Sequence, residues 1–160
     1  MYFGDATEEV CFVNDTLLLG TDGKKIDEVI KKLEDKGFTL TREDTQGNVF
    51  ALLGVELSNV NDNEIVLSQQ HLIKKVLDTM GMTQCNPRAT PCTIDPLGTN
   101  ADGSPFSESW NYASVVGMLM YLCSNAYPEI QYAVHQCARF THCPKKSHAE
   151  GINKICRYLK

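Results

Sequence analysis

The sequence lacks a long hydrophobic run. No stretch of its 160 residues approaches the ~20 consecutive apolar residues of a transmembrane helix, so we expect no membrane span. Residues 1–9 are acidic and contain no apolar core, which excludes a secretory signal there. With 42% hydrophobic and 22% charged residues, the composition is typical of a soluble globular protein. We therefore expect an intracellular protein, cytoplasmic or nuclear, of one domain or two small ones.

Cysteine pairs with the CxxC spacing of zinc sites are also absent. The seven cysteines are irregularly spaced, which favours reduced thiols in the absence of a signal peptide. The densest set of potential metal ligands is His135, Cys137, His142, Cys143 and His148. We interpret Cys137 and Cys156 as small core residues and the histidines as surface or hydrogen-bonding groups. A zinc module is the alternative, which metal analysis of the purified protein would test.

Basic residues are missing from one end of the chain and concentrated at the other. Residues 1–22 contain five acids and no Lys or Arg, and the formal net charge of the whole chain is −5. Residues 139–160 carry six basic residues against one acid. Such a basic end favours contact with phosphates. A solvated helix face with cations in its last turn would give the same pattern.

Two helices and a hairpin are predicted in the first half. Apolar residues recur with the helical period after Asp22, a candidate N-cap, and Gly37 is the predicted stop. Residues 38–40 predict a short strand. The apolar runs Val49–Leu57 and Glu64–Leu67 predict the two strands of a hairpin. Ser68 is predicted to cap a second helix that ends at Gly81.

The second half begins with a segment rich in Pro and Gly. Four of the six prolines lie in residues 83–108, so we predict a connector there and a domain boundary. Three helices follow, with Pro128 in the first turn of the second helix and Pro144 before the third. Short turns between them predict a small antiparallel bundle in residues 109–160.

The most informative segment runs from Phe12 to Gly20. Apolar residues lead into Asn14-Asp15, and Leu17–Leu19 lead out, which predicts two strands with an acidic turn between them. Such a turn can hold oxygen ligands for hard Mg²⁺ or Mn²⁺ ions with phosphate ligands. A single Asp at a turn more often hydrogen-bonds its own backbone.

An ordered series of short motifs extends over nearly the whole chain. They include Phe12-Val13-Asn14-Asp15, Leu53-Gly54-Val55-Glu56, Leu67-Ser68-Gln69, Gly81-Met82, Cys85-Asn86-Pro87, Thr90-Pro91 and Arg157-Tyr158-Leu159-Lys160. In this order they resemble the reverse transcriptase region of copia-type LTR retrotransposon Pol polyproteins. The resemblance implies an α+β fold: a palm-edge β-hairpin with a following α/β element (1–82), the connector (83–108) and a thumb/connection-like helical bundle (109–160).

The hairpin departs from the family pattern, which reads Tyr-Val-Asp-Asp. Phe12 and Asn14 are degenerate positions here, and Asp15 is the one remaining catalytic carboxylate and metal ligand of the motif. The family's third catalytic Asp lies upstream, and we expect it to be missing together with the fingers and the first half of the palm. Two-metal catalysis needs several anionic oxygens around ions ~4 Å apart. We therefore do not expect the family's Mg²⁺ or Mn²⁺ to bind this fragment stoichiometrically.

Two hypotheses about function follow. The first is a fragment of an RNA-directed DNA polymerase, inactive alone, that binds an RNA–DNA template–primer weakly through basic residues near its C-terminus. These residues are Lys145, Lys146, Lys154, Arg157 and Lys160. The alternative is a non-catalytic protein-interaction scaffold derived from a retroelement. Under either hypothesis an exposed sheet edge favours homo-oligomers.

Overall fold

The computed structural model describes residues 8–12, 15–19, 23–40, 49–61, 64–93, 95–99 and 103–160. Within these ranges the strands are β1 (Glu8–Phe12), β2 (Asp15–Leu19), β3 (Val49–Leu52), β4 (Val55–Asn61) and β5 (Glu64–Ser68). The helices are α1 (Gly23–Asp35), α2 (Gln70–Thr79), α3 (Tyr112–Asn125), α4 (Gln131–Ala138) and α5 (Lys146–Leu159). The predicted mixed α+β class is confirmed, and most of the regular structure is helical. No helix in these ranges is both long and apolar enough to cross a bilayer.

The first two strands form the predicted hairpin. β1 and β2 pair antiparallel, from Glu8 opposite Leu19 to Phe12 opposite Asp15. Two residues, 13 and 14, therefore connect the strands, and they lie outside the described residues. The predicted N-cap Asp22 also lies outside them, so this cap remains a prediction.

A second antiparallel sheet has the strand order β3-β4-β5. The prediction of one strand over residues 49–57 is wrong, because a turn at Leu53-Gly54 divides that run into β3 and β4. Both turn residues have positive φ, 52° for Leu53 and 76° for Gly54, as the tight two-residue turns of hairpins require. Glycine adopts this conformation freely and leucine does so rarely. The strand predicted over residues 38–40 is also wrong, since these residues pair with no described strand.

Glycines end two helices as predicted. Gly37 and Gly81 have φ of 90° and 66°. After α1 the Phe38 N–H bonds the Leu33 carbonyl at 3.2 Å, and after α2 the Met82 N–H bonds the Leu77 carbonyl at 2.8 Å. This is the Schellman pattern, which satisfies carbonyls at a helix end.

The predicted cap of α2 is wrong. The N-cap residue is Gln69, and its side chain makes no cap hydrogen bond. Ser68 instead belongs to β5, and its hydroxyl donates to Glu56 Oε2 at 3.2 Å. Ser68 is paired with Glu56 in the sheet. Its hydroxyl therefore bonds the Glu56 side chain and does not form the helix cap that the sequence pattern predicted.

One hydrophobic core lies among four helices. α2 joins the predicted bundle of three, because it packs against α3 and α5. Each of the four helices contributes fully buried apolar residues, among them Val76, Val115, Leu119, Leu122, Val134, Ile152 and Ile155. Met120 of α3 lies outside this core and is 43% exposed.

The Pro- and Gly-rich connector lies against this bundle. Leu97 and Phe106 pack on the core, and the Phe106 ring meets Trp110 edge-on at a centroid distance of 4.9 Å. Backbone hydrogen bonds from Phe106 to Pro144 and from Lys146 to Ser104 join the connector to the start of α5. The domain boundaries at residues 82 and 109 remain predictions.

Candidate nucleic-acid interface

Helix α5 carries most of the predicted phosphate-binding residues, and its N-terminus is fixed by a reciprocal pair of hydrogen bonds. The Lys145 N–H donates to His148 Nδ1 at 3.0 Å, and the His148 N–H donates to the Lys145 carbonyl at 3.0 Å. This satisfies two of the donors left free where a helix begins. The arrangement sets where α5 starts and therefore which of its side chains face solvent.

Of the three predicted cations within α5, Lys146 is exposed, whereas Lys154 and Arg157 are half-buried. Lys146, Lys154 and Arg157 stand at i, i+8 and i+11, positions that fall on one side of an α-helix. The opposite side is buried through Ile152, Ile155 and other core residues. The basic face (Lys146, Lys154 and Arg157) carries three positive charges. Glu150 lies between Lys146 and Lys154 on the same side of the helix and lowers the local net charge to about +2.

Arg157 also holds the connector. Its Nε donates to the Asn86 carbonyl at 2.8 Å, and its own carbonyl accepts from the Arg88 N–H at 2.8 Å. Nε is one of five guanidinium donors. The side chain can therefore keep this structural contact while its terminal nitrogens face an anion.

The other two predicted cations lie at opposite ends of the helix. Lys145 is the N-cap residue and Lys160 the C-cap residue of α5. A helix of 14 residues is about 21 Å long. The five predicted residues therefore follow α5 from end to end without forming one compact cluster.

The hairpin does not supply the donors of a two-metal site. Asp15 starts β2 directly opposite Phe12, and Asn14 lies outside the described residues. The hairpin motif offers one carboxylate and one neutral amide, whereas two bound divalent ions need several anionic oxygens. Within the described ranges no three His, Cys, Asp or Glu side chains come together as a metal site. These donors do not fit the two-ion site that the resemblance implies.

The His and Cys residues that suggested zinc are separated by the fold. Cys137 is buried, whereas His135, His142 and Cys143 are exposed. His148 is fully buried and stacks on Phe140 at a centroid distance of 3.9 Å. Because its Nδ1 accepts a hydrogen bond, Nε2 carries the hydrogen and donates to the Gly98 carbonyl at 2.9 Å. His148 is therefore a structural residue.

Two buried thiols are held in their neutral form. Burial raises the pKa of Cys137 to about 12, although the neighbouring Tyr112 side chain opposes the shift. Burial also raises the pKa of Cys156 to about 12, with Cys85 adding to the effect. A thiol is nucleophilic as the thiolate, so neither residue is poised for catalysis. The interpretation of both as core residues is confirmed by their burial.

Sequence reasoning did not predict the surroundings of two polar residues. Gln69 is fully buried, and its Oε1 has no hydrogen-bond partner among the described residues. Lys74 of α2 and Lys160 at the end of α5 line one groove between these two helices. The helical period places Lys74 on the polar face of α2, but only the packing of α2 against α5 brings the two lysines together.

Comparison with known proteins gives the chain its relatives. It is 28% identical over 148 residues to the retrovirus-related Pol polyprotein from transposon RE1 of Arabidopsis thaliana, covering 92% of this chain and 10% of that protein. It is 30% identical over 156 residues to the corresponding polyprotein from transposon TNT 1-94 of Nicotiana tabacum, covering 93% and 11%. Its homologues are Pol polyproteins of copia-type retrotransposons.

A shorter relative matches equally well. The uncharacterized mitochondrial protein AtMg00810 of Arabidopsis thaliana is 27% identical over 149 residues, which cover 93% of this chain and 59% of that protein. No family model matches the chain, and no solved structure matches it significantly. The chain thus corresponds to about a tenth of the length of the Pol polyproteins it matches.

Proposed function

We propose that this chain is a segment of a retrotransposon RNA-directed DNA polymerase that binds an RNA–DNA template–primer weakly and does not synthesise DNA by itself. The observation that carries the proposal is the basic face of α5. The homologues of the chain are Pol polyproteins. Nucleic acid is the polyanion that a basic face of this kind fits.

The charge of the basic face sets the expected strength of binding. Each phosphate neutralised by a cation releases counterions, and log K falls with log salt with a slope of about −0.9 per contact. The three cations of the basic face therefore predict a slope of about −3 at most. Glu150 lies among them and opposes the attraction. Binding is expected at low salt and is lost at moderate salt.

Fluorescence anisotropy with a labelled RNA–DNA hybrid tests this proposal. The double variant Lys146→Ala/Lys154→Ala removes two charges from the basic face and leaves the Arg157 contact with Asn86 intact. The matched control Lys31→Ala/Lys32→Ala removes two exposed charges from α1. We expect the first variant to weaken binding and flatten the salt slope, and the control to change neither. Equal losses in both variants, or no binding at low salt, would exclude the proposal.

A second candidate is a protein-interaction scaffold, and α1 favours it. None of the α1 residues is buried, although the helix carries the apolar stripe Ile26, Val29, Ile30 and Leu33. No other described element packs extensively against it. A partner covering this stripe would complete its burial.

The same candidate includes self-association through a sheet edge. β5 is an edge strand of the described three-stranded sheet, and its Val66 and Leu67 are 41% and 46% exposed. An exposed edge of this kind can pair with a second copy. Light scattering should then give a dimer mass that Val66→Lys lowers to the monomer mass, and a wild-type monomer at all concentrations excludes this mode.

A further inference from the structure

A groove of about 330 Å³ lies between α2 and the end of α5. This volume is at the lower end of the ~300–1,000 Å³ typical of small-ligand clefts. A second cleft, between the connector and helices α4 and α5, measures about 20 Å³ and has room for little more than one water molecule. Of these two clefts of the described residues, the α2–α5 groove is the one with room for a ligand.

The floor of the groove is apolar. Ile73 and Leu77 of α2 line it, and they are only 5% and 6% exposed because the rest of each side chain packs in the core. Leu159 of α5 completes the floor. A flat ring can cover these three side chains and bury apolar surface that they leave open.

The rim of the groove is cationic. Lys74 stands on the α2 side and Lys160 on the α5 side, and no Asp or Glu lines the groove. Two lysines that face one space without an acid attract an anion, and the ammonium group is a common phosphate binder. Lys160 also ends α5, so the groove continues the line of cations that begins with the basic face.

Two amides add hydrogen-bonding capacity. Gln70 and Gln84 line the groove, and each carries both donors and an acceptor. Gln70 Nε2 donates to the Tyr127 hydroxyl at 3.1 Å, which orients the amide and leaves its Oε1 able to accept from a ligand. The groove therefore combines an anion site, an apolar floor and amide edges.

We infer that this groove binds one nucleotide unit, with the phosphate between Lys74 and Lys160 and the base over Ile73, Leu77 and Leu159. The amides of Gln70 and Gln84 then meet the edge of the base. The inference rests on the proposed function, since Lys160 belongs to both sites. It adds Lys74 and the α2 side of the groove, which neither the sequence motifs nor the homologues assign.

Ligand-detected NMR tests the inference with three probes: a purine 5′-monophosphate, the matching uncharged nucleoside and inorganic phosphate. The monophosphate should bind more tightly than either of its parts, because only it uses the rim and the floor together. Lys74→Ala should weaken its binding by about 1.4- to fivefold, the range for one exposed charge contact. The matched control is Lys75→Ala, an exposed neighbour turned ~100° around α2, which should leave binding unchanged.

Three outcomes would overturn the inference: no binding of the monophosphate, equal binding of inorganic phosphate alone, or an equal loss in Lys74→Ala and Lys75→Ala. The hybrid-binding assay separates this inference from the proposed function. If Lys146→Ala/Lys154→Ala weakens hybrid binding while Lys74→Ala leaves monophosphate binding intact, the inference fails and the proposed function stands. If Lys74→Ala weakens monophosphate binding in a chain that binds no hybrid, the groove stands and the proposed function fails.

Discussion

The phenolic oxygen of Tyr121 donates a hydrogen bond of 2.6 Å to the backbone carbonyl of Leu53. Tyr121 lies on α3, and Leu53 lies in the turn between β3 and β4, so this bond joins the helical bundle to the three-stranded sheet. Gln69 Nε2 adds a longer bond of 3.5 Å to the Gly54 carbonyl. Since no described helix packs extensively against the sheet, these polar contacts help to set its position on the bundle.

Removing the Tyr121 hydroxyl should loosen the sheet. Tyr121→Phe keeps the ring and loses a bond of the kind worth about 0.5–1.5 kcal/mol. We expect faster amide hydrogen exchange in β3 to β5 and unchanged exchange in the buried turns of α3 and α5. Tyr132→Phe is the control, because Tyr132 is an exposed residue of α4. A uniform increase across the whole chain would mean that the bond stabilises the bundle itself.

The Leu53-Gly54 turn shows where sequence reasoning about the fold stopped. The apolar residues over positions 49–57 predict one strand. The break between β3 and β4 is visible only in the backbone dihedral angles of the turn. Glycine in a strand pattern is a weak turn signal without an Asn or Asp before it. Leu53, at φ 52°, departs from the preference of leucine for negative φ. By contrast, Gly37 and Gly81 were predictable, because each follows a helical repeat at the position where a left-handed residue ends a helix.

Replacing His148 should destabilise the bundle. His148→Leu keeps a side chain of similar size but leaves the Lys145 N–H and the Gly98 carbonyl without their partner. Both hydrogen bonds are only partly buried and each is worth about 0.5–1.5 kcal/mol, so we expect a loss of about 1–3 kcal/mol in the free energy of unfolding. Urea denaturation measures it. His142→Leu changes an exposed histidine and should stay within about 0.5 kcal/mol of the wild type; a similarly small effect for His148→Leu would contradict the prediction.

The buried thiols predict lower stability at alkaline pH. Burial raises the pKa of Cys137 and of Cys156 from the ordinary 9.0 to about 12. Above about pH 9 the unfolded state loses these protons and the native state keeps them, so unfolding becomes more favourable. Their stabilising contribution is therefore complete below about pH 9 and is lost as the pH rises towards 12.

Urea denaturation between about pH 8 and pH 11 measures this effect. We expect the free energy of unfolding to decline less steeply with pH in Cys137→Ala and in Cys156→Ala than in the wild type. This difference in slope does not depend on how far each substitution lowers the stability at pH 8. Cys143→Ala removes an exposed thiol and should keep the wild-type slope. Parallel pH profiles for all four proteins would show that the thiols titrate alike in both states.

Two helical glycines should respond differently to substitution. A Cβ on Gly151 of α5 would lie 3.0 Å from Leu97 Cδ1 and 3.1 Å from Cys137 Sγ, whereas a Cβ on Gly117 of α3 would meet nothing within 4 Å. Gly117→Ala should therefore stabilise the protein by about 0.5–1 kcal/mol through helix propensity. Gly151→Ala should stabilise the protein less than Gly117→Ala does, or destabilise it. Gly151→Val should destabilise the protein by about 1–3 kcal/mol through overpacking. Equal melting temperatures for both alanine variants would contradict the packing of Leu97 against α5.

The candidate site was predictable in its residues and not in its arrangement. The excess of cations after residue 139 marks α5, and the helical period places Lys146, Lys154 and Arg157 on one face. The second role of Arg157, its bond to Asn86, joins residues 71 positions apart and has no local pattern. The same is true of the groove between Lys74 and Lys160, which exists only because α2 packs beside α5.

The last prediction concerns catalysis. In a Mg²⁺- or Mn²⁺-dependent primer-extension assay, we expect no DNA synthesis by the 160-residue chain, because its hairpin motif offers Asp15 as a single carboxylate. Asn14→Asp restores the adjacent pair of the family motif, but two ions in an in-line displacement need a further carboxylate oxygen from outside the turn. We therefore expect this variant to remain inactive and to bind Mn²⁺ at most weakly. Template-dependent extension by the wild type, abolished by Asp15→Asn, would refute the inactive assignment; extension by Asn14→Asp alone would show that another acid of this chain completes the site.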